Sequence, residues 1–513
     1  MEFLTDMAAK RAELMPEAVA FVDHETGRRY SFGEVNDRAS RLGNLLLGKG
    51  LSKGDRVAVL CLNHPDFFVL LFAAQKTGVV LVPLNWRQPA PELKPILEAS
   101  GAKLLFHDEA FAETARLLAE QTGTCLLSLG ATAGGGSALD PLLERTSPAA
   151  IGCGRIGTTA PWYLLNTSGT TGLPKAVIQT AGMAYANMVN YCQATGLSMG
   201  ERGVNFLPLF HTAGINLPTL PIFLNGGSST VLRKFDADAV LKLVAAGQVT
   251  CFFGVPAVYQ AMSLSSRIGS TDFSRVRSLG CGGAPVSRHL LKEFQGRGAT
   301  ICNGMGMTET GPTVFLMDTA HARDKIGSVG KPQMLTDVRL VDADGGIVEG
   351  PGDGEIQFRG PNVTPGYMDD PEATAAAFTS DGWLKSGDIG QRDEDGYYFI
   401  IDRIKDMYIS GGENVYPAEV ENALQGHPAV LEAVVIGVAN AKWGEVGAAF
   451  VIARPGRSID IGSLADWCRT SLAAYKIPKN FVVVADLPRT AAGKVRKNVL
   501  KDRYMAEKTP EDA

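Results

Sequence analysis

Hydroxyl, glycine and lysine residues are concentrated in one stretch between two apolar segments. Residues 162–165 and 176–178 each have the apolar pattern of a buried strand, so the stretch between them is predicted to be a loop. Glycines let backbone N–H groups approach a ligand closely, and hydroxyls and a lysine can bind phosphate oxygens. The pattern predicts phosphate binding, with an ordinary polar hairpin turn as the alternative. The candidate residues are Thr167, Ser168, Gly169, Thr170, Thr171, Gly172 and Lys175.

This loop is not a Walker loop. The G-x-x-x-x-G-K-[ST] spacing is missing, and a strand rather than a helix follows. Glycine-rich turns also end two later predicted strands, at residues 282–285 and 303–309. Open α/β sheets bind ligands at such strand ends, so we expect the turns to meet at one site.

Composition excludes several classes of function. The 513 residues are long enough for two or more domains, and 45% of them are hydrophobic, as in a globular protein. A formal net charge of −5 gives no basic surface for nucleic acid. The acidic N-terminus does not resemble a signal peptide, and the most apolar region, residues 67–84, is too interrupted for a membrane span. It is instead predicted to be a buried helix followed by a buried strand.

Cysteine usage is typical of a reducing compartment. The eight cysteines contain no C-x-x-C pair, which argues against disulfides and structural zinc. We interpret Cys281 and Cys302 as buried packing residues. The protein is therefore expected to be cytoplasmic.

The predicted elements indicate an α/β protein with two domains. Helices and strands alternate up to about residue 309, beginning with a capping box at Ser31 and Glu34. From Gly345 the pattern becomes β-rich, a helix is predicted to begin at Asp370-Pro371, and residues 386–388 are placed in a turn. The last hundred residues carry their own strands and helices. This predicts a small α+β domain beginning within residues 402–405.

Seven motifs in order along the chain closely resemble the adenylate-forming (AMP-binding) superfamily. The nearest resemblance is to its acyl-CoA synthetase branch, the fatty acyl- and aryl-CoA ligases. The motifs are residues 167–175, Gly282-Gly283-Ala284-Pro285, Met305-Gly306-Met307-Thr308-Glu309, Ser386-Gly387-Asp388, Asp402-Arg403-Ile404-Lys405-Asp406, Gly411-Gly412-Glu413-Asn414 and residues 488–494.

The resemblance implies a two-step, ATP-dependent reaction. A carboxylate attacks the α-phosphorus of ATP to give an acyl-adenylate and pyrophosphate, and the thiol of coenzyme A then displaces AMP. It also implies a large N-terminal domain, residues 1–402, of α/β subdomains plus a β-rich subdomain. A small mobile C-terminal domain, residues 403–513, would rotate between the two steps. Lys405 matches the hinge position.

The resemblance also assigns roles in the nucleotide site. The loop 167–175 would hold the β- and γ-phosphates, Thr308 would contact the α-phosphate, and Glu309 would bind Mg²⁺. Asp388 and Arg403 would bind the ribose. The residues expected to flank the adenine are Gly283, Ala284, Pro285, Asn303, Gly304 and Met305. Met305 departs from the family, which often has tyrosine there, but a methionine can also pack on a ring.

Further roles follow for residues of the small domain. Lys494 matches the catalytic lysine, whose charge would meet the carboxylate and the α-phosphate in the transition state. A solvated basic tail is the alternative interpretation. The Gly411-Gly412 turn would leave room for the pantetheine arm of CoA. Trp443 is a candidate CoA contact, with simple packing as its alternative.

The pocket for the carboxylic acid substrate is predicted around His211. This residue could border the substrate carboxylate or merely cap a helix. No aspartate is present in this segment to pair an α-ammonium, which disfavours amino acids. A roomy apolar pocket suits a fatty or aromatic monocarboxylic acid. The predicted pocket residues are His211, Gly214, Ile215, Gly254, Cys281 and Gly282.

Three functions are considered. The first is an AMP-forming acyl-CoA ligase that uses ATP, Mg²⁺ and CoA. The second is a freestanding enzyme that loads an acyl group onto a separate carrier protein. The third is an inactive scaffold, which Lys175, Glu309 and Lys494 argue against. A homodimer is the assembly we consider.

Overall fold

The computed structural model describes residues 2–129, 137–151, 155–167, 174–283, 286, 288–440, 442–489 and 495–507. Within these residues the strands form four β-sheets, of two, seven, thirteen and five strands. No helix in the described ranges is long and apolar enough to cross a membrane.

The described residues between 2 and 167 alternate strands and helices, as the sequence predicts. In chain order they are β1 (Phe3–Leu4), α1 (Met7–Leu14), β2 (Val19–Asp23), β3 (Arg29–Ser31), α2 (Phe32–Gly48), β4 (Arg56–Leu60), α3 (Pro65–Thr77), β5 (Val80–Pro83), α4 (Ala90–Ser100), β6 (Leu104–His107), α5 (Ala112–Thr122), β7 (Cys125–Ser128), β8 (Ser137–Ala138), α6 (Leu139–Arg145), β9 (Ile156–Gly157) and β10 (Pro161–Thr167). The apolar region 67–84 is a buried helix, α3, followed by a buried strand, β5, as predicted.

The capping box at the start of α2 is only half formed. The side chain of Ser31 accepts a hydrogen bond from the N–H of Glu34, at 3.1 Å. The Glu34 carboxylate does not return to the Ser31 backbone but binds Arg28, at 2.7 Å. The helix therefore begins at the predicted position with one of the two predicted bonds.

The next segment builds a second α/β layer. It contains β11 (Lys175–Thr180), α7 (Ala181–Thr195), β12 (Arg202–Asn205), α8 (Thr212–Asn216), α9 (Thr219–Leu224), β13 (Ser228–Val231), α10 (Ala237–Ala245), β14 (Cys251–Gly254), α11 (Pro256–Leu264), β15 (Ser278–Gly282), α12 (Arg288–Gln295) and β16 (Ile301–Met305). Strand β11 pairs antiparallel with β10, so the two strands predicted on either side of residues 168–173 are present. Strands β13, β12, β14, β15 and β16 are parallel, so their carboxyl ends lie at one edge.

The sheet then continues into an antiparallel, β-rich region. It consists of β17 (Phe315–Leu316), β18 (Ser328–Pro332), β19 (Asp337–Val341), β20 (Gly352–Arg359), α13 (Pro371–Ala377), β21 (Leu384–Arg392) and β22 (Tyr398–Arg403). Helix α13 begins at Pro371, and the Asp370 side chain caps it by accepting from the N–H of Ala373, at 2.8 Å. Both features are as predicted.

One local prediction in this region is wrong. Residues 386–388 do not form a turn between elements but lie inside β21, where Asp388 pairs with Arg403 of β22. Gly387 has a φ of +70°, and the pairing register shifts on both sides of it. The glycine therefore marks an irregularity within a continuous strand rather than a strand end.

The last hundred residues form the predicted small α+β domain. Its elements are β23 (Tyr408–Ser410), β24 (Glu413–Val415), α14 (Pro417–Gln425), β25 (Val430–Asn440), β26 (Gly444–Ala453), α15 (Ile461–Arg469), β27 (Asn480–Val483) and α16 (Lys497–Glu507). One apolar cluster packs α14 and α15 against the sheet, and a second packs α16 against other strand residues. The fold is therefore a large α/β domain with a β-rich part, followed by a small α+β domain, as predicted. The predicted boundary after Asp402 falls one residue before the end of β22.

Candidate active site

A cavity of about 610 Å³ lies where the parallel strands β14, β15 and β16 end. Its walls come from residues 206–217, 253–261 and 304–316, with further side chains from residues 86–87 and 233–235. The carboxyl edge of a parallel sheet is the usual ligand position in open α/β folds. The predicted glycine-rich turns do meet at this edge.

His211 lies on the wall of this cavity, at the N-cap position of α8. Its side chain makes no capping hydrogen bond, so the capping alternative is wrong. Strand β12 ends at Asn205, and residues 208–211 form a turn before α8. The N–H of His211 closes that turn by donating to the carbonyl of Pro208, at 3.1 Å.

Two glycines face each other where β15 and β16 end. Gly282 and Gly304 are direct partners in the sheet, and both line the cavity. A Cβ on Gly282 would stand 2.7 Å from the carbonyl oxygen of Gly304 and 2.9 Å from the Phe253 ring. Side chains are therefore excluded here, and the exposed backbone provides a flat surface. Gly283 continues this wall with a φ of +80°, a conformation that favours glycine.

Asn303, the residue before Gly304, is not part of the cavity lining but carries an unused acceptor. Its side chain is buried, and its Nδ2 donates to the carbonyl of Ser328 at 3.4 Å. Among the described residues its Oδ1 has no hydrogen-bond partner. A buried orphan acceptor costs free energy unless a ligand satisfies it. The next residue but one, Met305, lines the cavity.

The segment after β16 is a tightly closed loop, residues 306–313. A Cβ on Gly306 would lie 1.3 Å from the carbonyl oxygen of Pro312, and the N–H of Val314 donates to Met305 at 3.3 Å. A short 3₁₀ turn, Thr308–Thr310, forms the tip. The loop thus presents Thr308 to the cavity and holds Glu309 just behind it.

Lys175, Tyr367 and Glu309 form one contact chain. The Tyr367 hydroxyl donates to Oε1 of Glu309 at 3.1 Å, and the Lys175 ammonium lies 5.0 Å from the centre of the same ring. Burial raises the pKa of Tyr367, and the negative charge of Glu309 raises it further, so the hydroxyl remains a donor. Gln179, on the strand that Lys175 begins, donates to the carbonyl of Thr308 at 2.8 Å. The hairpin that carries the predicted phosphate loop is therefore joined to the Thr308–Glu309 turn.

Asp388 and Arg403 are cross-strand partners on β21 and β22. The Arg403 Nε lies 3.3 Å from Oδ1 of Asp388. Asp388 is buried, whereas the Arg403 side chain is 43% exposed. The carboxylate is thus oriented from one side by a cation that remains accessible to solvent.

Beyond Arg403, a charged cluster joins the two domains. Asp402 accepts from the N–H of Ala418, at the start of α14, at 2.8 Å, and Glu421 of α14 pairs with Lys497 at 2.8 Å. Burial raises the pKa of Asp402, and the positive charge of Lys497 opposes that effect. Burial alone would lower the pKa of Lys497, but Glu421 and Asp402 outweigh it and raise the pKa.

Four of the predicted acid-pocket residues do not line the cavity, which corrects the prediction. His211 and Gly282 do line it, whereas Gly214, Ile215, Gly254 and Cys281 do not. Gly214 packs against backbone, because a Cβ there would lie 2.2 Å from the carbonyl oxygen of Pro208. Ile215 and Cys281 are fully buried in apolar clusters, and at Gly254 a Cβ would meet Tyr259 and Val258. The sequence places these residues near the site, but which of them point into the cavity depends on how the elements pack.

The predicted CoA residues are close to one another and away from the cavity lining. The N–H of Gly411 donates to the carbonyl of Trp443 at 2.8 Å, and a Cβ on Gly411 would lie 2.8 Å from the indole ring. Gly411 and Gly412 form the turn between β23 and β24, with φ values of +64° and +88°. The Trp443 side chain is 39% exposed.

Some predicted residues lie outside the described part of the chain. They are Ser168, Gly169, Thr170, Thr171, Gly172, Ala284, Pro285 and Lys494.

Other residues of the site are not among the predictions. Tyr367 precedes the Asp370 cap, and nothing in its sequence context points to a carboxylate partner 58 residues earlier. Trp86 and Tyr191 line the cavity from distant parts of the chain. Arg489 of the small domain also reaches the lining and pairs with Glu432, although its sequence context suggests only a basic tail.

Comparison with known proteins agrees with this geometry. The family "AMP-binding enzyme" matches residues 8–368, and "AMP-binding enzyme C-terminal domain" matches residues 419–494. The chain belongs to the AMP-binding enzyme family. The predicted resemblance to adenylate-forming enzymes is thereby confirmed.

Similar proteins define the branch of the family. Feruloyl-CoA synthase of Amycolatopsis sp. is 43% identical over 96% of this chain and 98% of the relative. Indoleacetate–CoA ligase of Aromatoleum aromaticum is 35% identical over 99% of both chains. The structure of o-succinylbenzoate coenzyme A synthetase from Bacillus subtilis, in complex with ATP and magnesium ion, matches with a TM-score of 0.86 and 31% identity, over 98% of this chain and 100% of that one.

These relatives confirm the predicted ATP-dependent acyl-CoA ligase activity and the class of AMP-forming acid–thiol ligases. They do not favour the alternative of carrier-protein loading.

Proposed function

We propose that the acid activated by this ligase is aromatic. The observation that carries this proposal is the cavity lining, which contains the aromatic residues Trp86, Tyr191, Phe206 and Phe253 together with His211. Aromatic rings pack favourably against one another in offset or edge-to-face arrangements. The relatives that act on feruloyl and indoleacetate groups support the same choice.

The glycine surface is the proposed adenine site. Gly282, Gly283 and Gly304 leave room for a planar base, and the orphan Oδ1 of Asn303 could accept from its amino group. Met305 would pack on the ring. Asp388, oriented by Arg403, would accept hydrogen bonds from the ribose hydroxyls.

The residues around Glu309 fit a magnesium site. Mg²⁺ is usually bound through one or two carboxylates together with substrate phosphates and water. Glu309 supplies one carboxylate, and the described residues contain no cluster of three or more protein ligands. Bound there, the ion would neutralise phosphate charge. Lys175 and Thr167, which are cross-strand partners on β10 and β11, would bind the outer phosphates, and Thr308 the α-phosphate.

The remaining site residues are assigned to the acid substrate and to CoA. His211 would border the reacting carboxylate, and Lys494 would stabilise the charge that develops between it and the α-phosphate. The turn of Gly411 and Gly412, with Trp443 beside it, would contact CoA in the second step. Lys405 is exposed in the short connection between β22 and β23, which suits a hinge between domains 1–402 and 403–513.

The first experiment is thioester formation with ATP, Mg²⁺, CoA and a panel of cinnamate-like, benzoate-like and fatty acids, followed by mass spectrometry. We expect aromatic acids to give the CoA thioester with the highest kcat/KM. Lys494→Ala should lower adenylation by about a hundred- to a thousandfold. Higher kcat/KM for fatty acids would contradict the proposal. Acyl-AMP without any thioester would instead support a carrier-protein acceptor.

We also propose a homodimer and a cytoplasmic location, which light scattering and cell fractionation would test.

A further inference from the structure

Thr313 lies on the cavity wall and is fixed there by two asparagines of α7. Its N–H donates to Oδ1 of Asn187 at 3.0 Å, and its carbonyl accepts from Nδ2 of Asn190 at 3.2 Å. Both asparagines are almost completely buried, with 1% and 0% exposure. Two buried hydrogen bonds therefore hold the backbone of Thr313 in this position.

The hydroxyl of Thr313 is unusual for this site. Thr313 is only 4% exposed, and within the described residues its Oγ1 has no hydrogen-bond partner. A buried hydroxyl that loses water without gaining a partner costs about 1–3 kcal/mol. Thr212, which also lines the cavity, shows the ordinary case, because its Oγ1 accepts from Nδ2 of Asn216 at 3.0 Å.

The surroundings of Thr313 restrict what could satisfy it. The lining residues from α7 and from residues 312–316 are Tyr191, Pro312, Thr313, Phe315 and Leu316, none of which is charged. The charged lining residues, Arg87, Arg233, Lys234 and Arg489, come from other segments. A charged group buried among the uncharged residues would lose its hydration, which is costly. A neutral hydroxyl can both donate to and accept from a threonine hydroxyl.

We propose that Thr313 hydrogen-bonds a ring hydroxyl of the substrate, so that the preferred substrates are hydroxylated aromatic acids. This inference rests on the proposed function and narrows it. A site with a buried hydroxyl discriminates against an acid that leaves the hydroxyl unpaired. Thr313 is thus a specificity-determining residue, and the reacting carboxylate lies elsewhere, beside His211 and Thr308.

The test compares cinnamate with 3-hydroxycinnamate and 4-hydroxycinnamate by kcat/KM for thioester formation. In the wild-type enzyme we expect one hydroxylated acid to be preferred over cinnamate by about tenfold. Thr313→Val keeps the side-chain volume and should bring this ratio close to one. Thr313→Ser should restore most of it.

Thr212→Val is the matched control, because it removes a hydroxyl from the same cavity that already has a partner. It should leave the ratio between the acids unchanged even if it lowers all rates. Thermal unfolding gives an independent readout. Thr313→Val should not lower the Tm, since it removes an unpaired polar group, whereas Thr212→Val should lower it.

The outcomes separate this inference from the function on which it rests. If aromatic thioesters form but Thr313→Val changes the rates for all three acids by the same factor, the inference is overturned. It is also overturned if the wild-type enzyme shows no preference for either hydroxylated acid. If no aromatic acid gives a thioester in the wild-type enzyme, the proposed function itself fails.

Discussion

The Tyr367 hydroxyl donates a hydrogen bond to the Glu309 carboxylate at 3.1 Å. This contact joins the proposed magnesium ligand to a residue that forms a β-bridge with Val177 of β11, the strand that Lys175 begins. The same ring lies under the Lys175 ammonium, so one tyrosine contacts both charged groups that we assign to the phosphates. One side chain therefore connects the two groups.

Tyr367→Phe should weaken the apparent affinity for Mg²⁺ by about tenfold. The change removes the donor that orients Glu309 but keeps the ring beneath Lys175, and losing a partner of a metal ligand typically costs ten- to a hundredfold in affinity. The measurement is adenylation rate against Mg²⁺ concentration at fixed ATP. Tyr367→Leu, which also removes the ring, should in addition raise KM for ATP. Equal Mg²⁺ dependence in Tyr367→Phe and the wild type would show that the bond has no such role.

Asp388→Asn should weaken AMP binding by about tenfold or more. The amide has lost the negative charge that accepts from ribose hydroxyls, and hydrogen bonds to charged groups contribute about 1.5–3 kcal/mol. Isothermal titration calorimetry with AMP measures the change. Asp337→Asn is the matched control, because Asp337 and Arg359 form a similar cross-strand pair at 3.3 Å, and both side chains are exposed. If both variants bind AMP like the wild type, the ribose assignment is wrong.

Glu421→Gln should reduce the stability of the small domain by about 2 kcal/mol. Lys497 would then keep a largely buried ammonium with one counter-ion fewer, which is costly even when part of the side chain reaches water. Urea unfolding followed by the fluorescence of Trp467, which bonds to α14, reports on this region.

The control for that prediction is Glu419→Gln on the same helix. Glu419 pairs with Lys476 at 2.7 Å, but its side chain is 42% exposed, so we expect a loss below about 1 kcal/mol. A loss as large as that of Glu421→Gln would mean that helix propensity, rather than the buried cluster, causes the effect.

The cysteines should differ sharply in reactivity. Burial raises the pKa of Cys251 and Cys281, and it raises that of Cys302 to about 12, so little thiolate exists at pH 8. Cys125 is exposed. Brief treatment of the native enzyme with iodoacetamide should therefore label Cys125 and spare those three, as peptide mass spectrometry would show. Labelling of Cys281 in the native enzyme would contradict the packing around β15.

The family and the fold were predictable because their signals are local. Apolar runs such as α3 and β5 specify buried elements directly, and Asp370-Pro371 specifies a helix start without any distant partner. The motif order then identifies the sheet edge at which the ligand site is built.

The direction in which a strand residue faces, and the contacts between residues far apart in the chain, were not predictable in the same way. Cys281 and Gly282 are adjacent in β15, and only the pleat decides that Gly282 reaches the cavity. Gly387 resembles a turn residue, but pairing with two neighbouring strands holds it inside β21. Tyr367 and Glu309 meet across 58 residues, which no local pattern encodes.

The closed loop of residues 306–313 has a consequence for how such an enzyme can diversify. The close approach of Gly306 to Pro312 fixes the base of this loop, and Thr313 follows directly after it. Any change of loop length that reshaped the acid pocket would also displace Glu309. New substrate ranges should therefore arise by exchanging side chains at fixed loop length, or by remodelling residues 206–217 on the opposite wall.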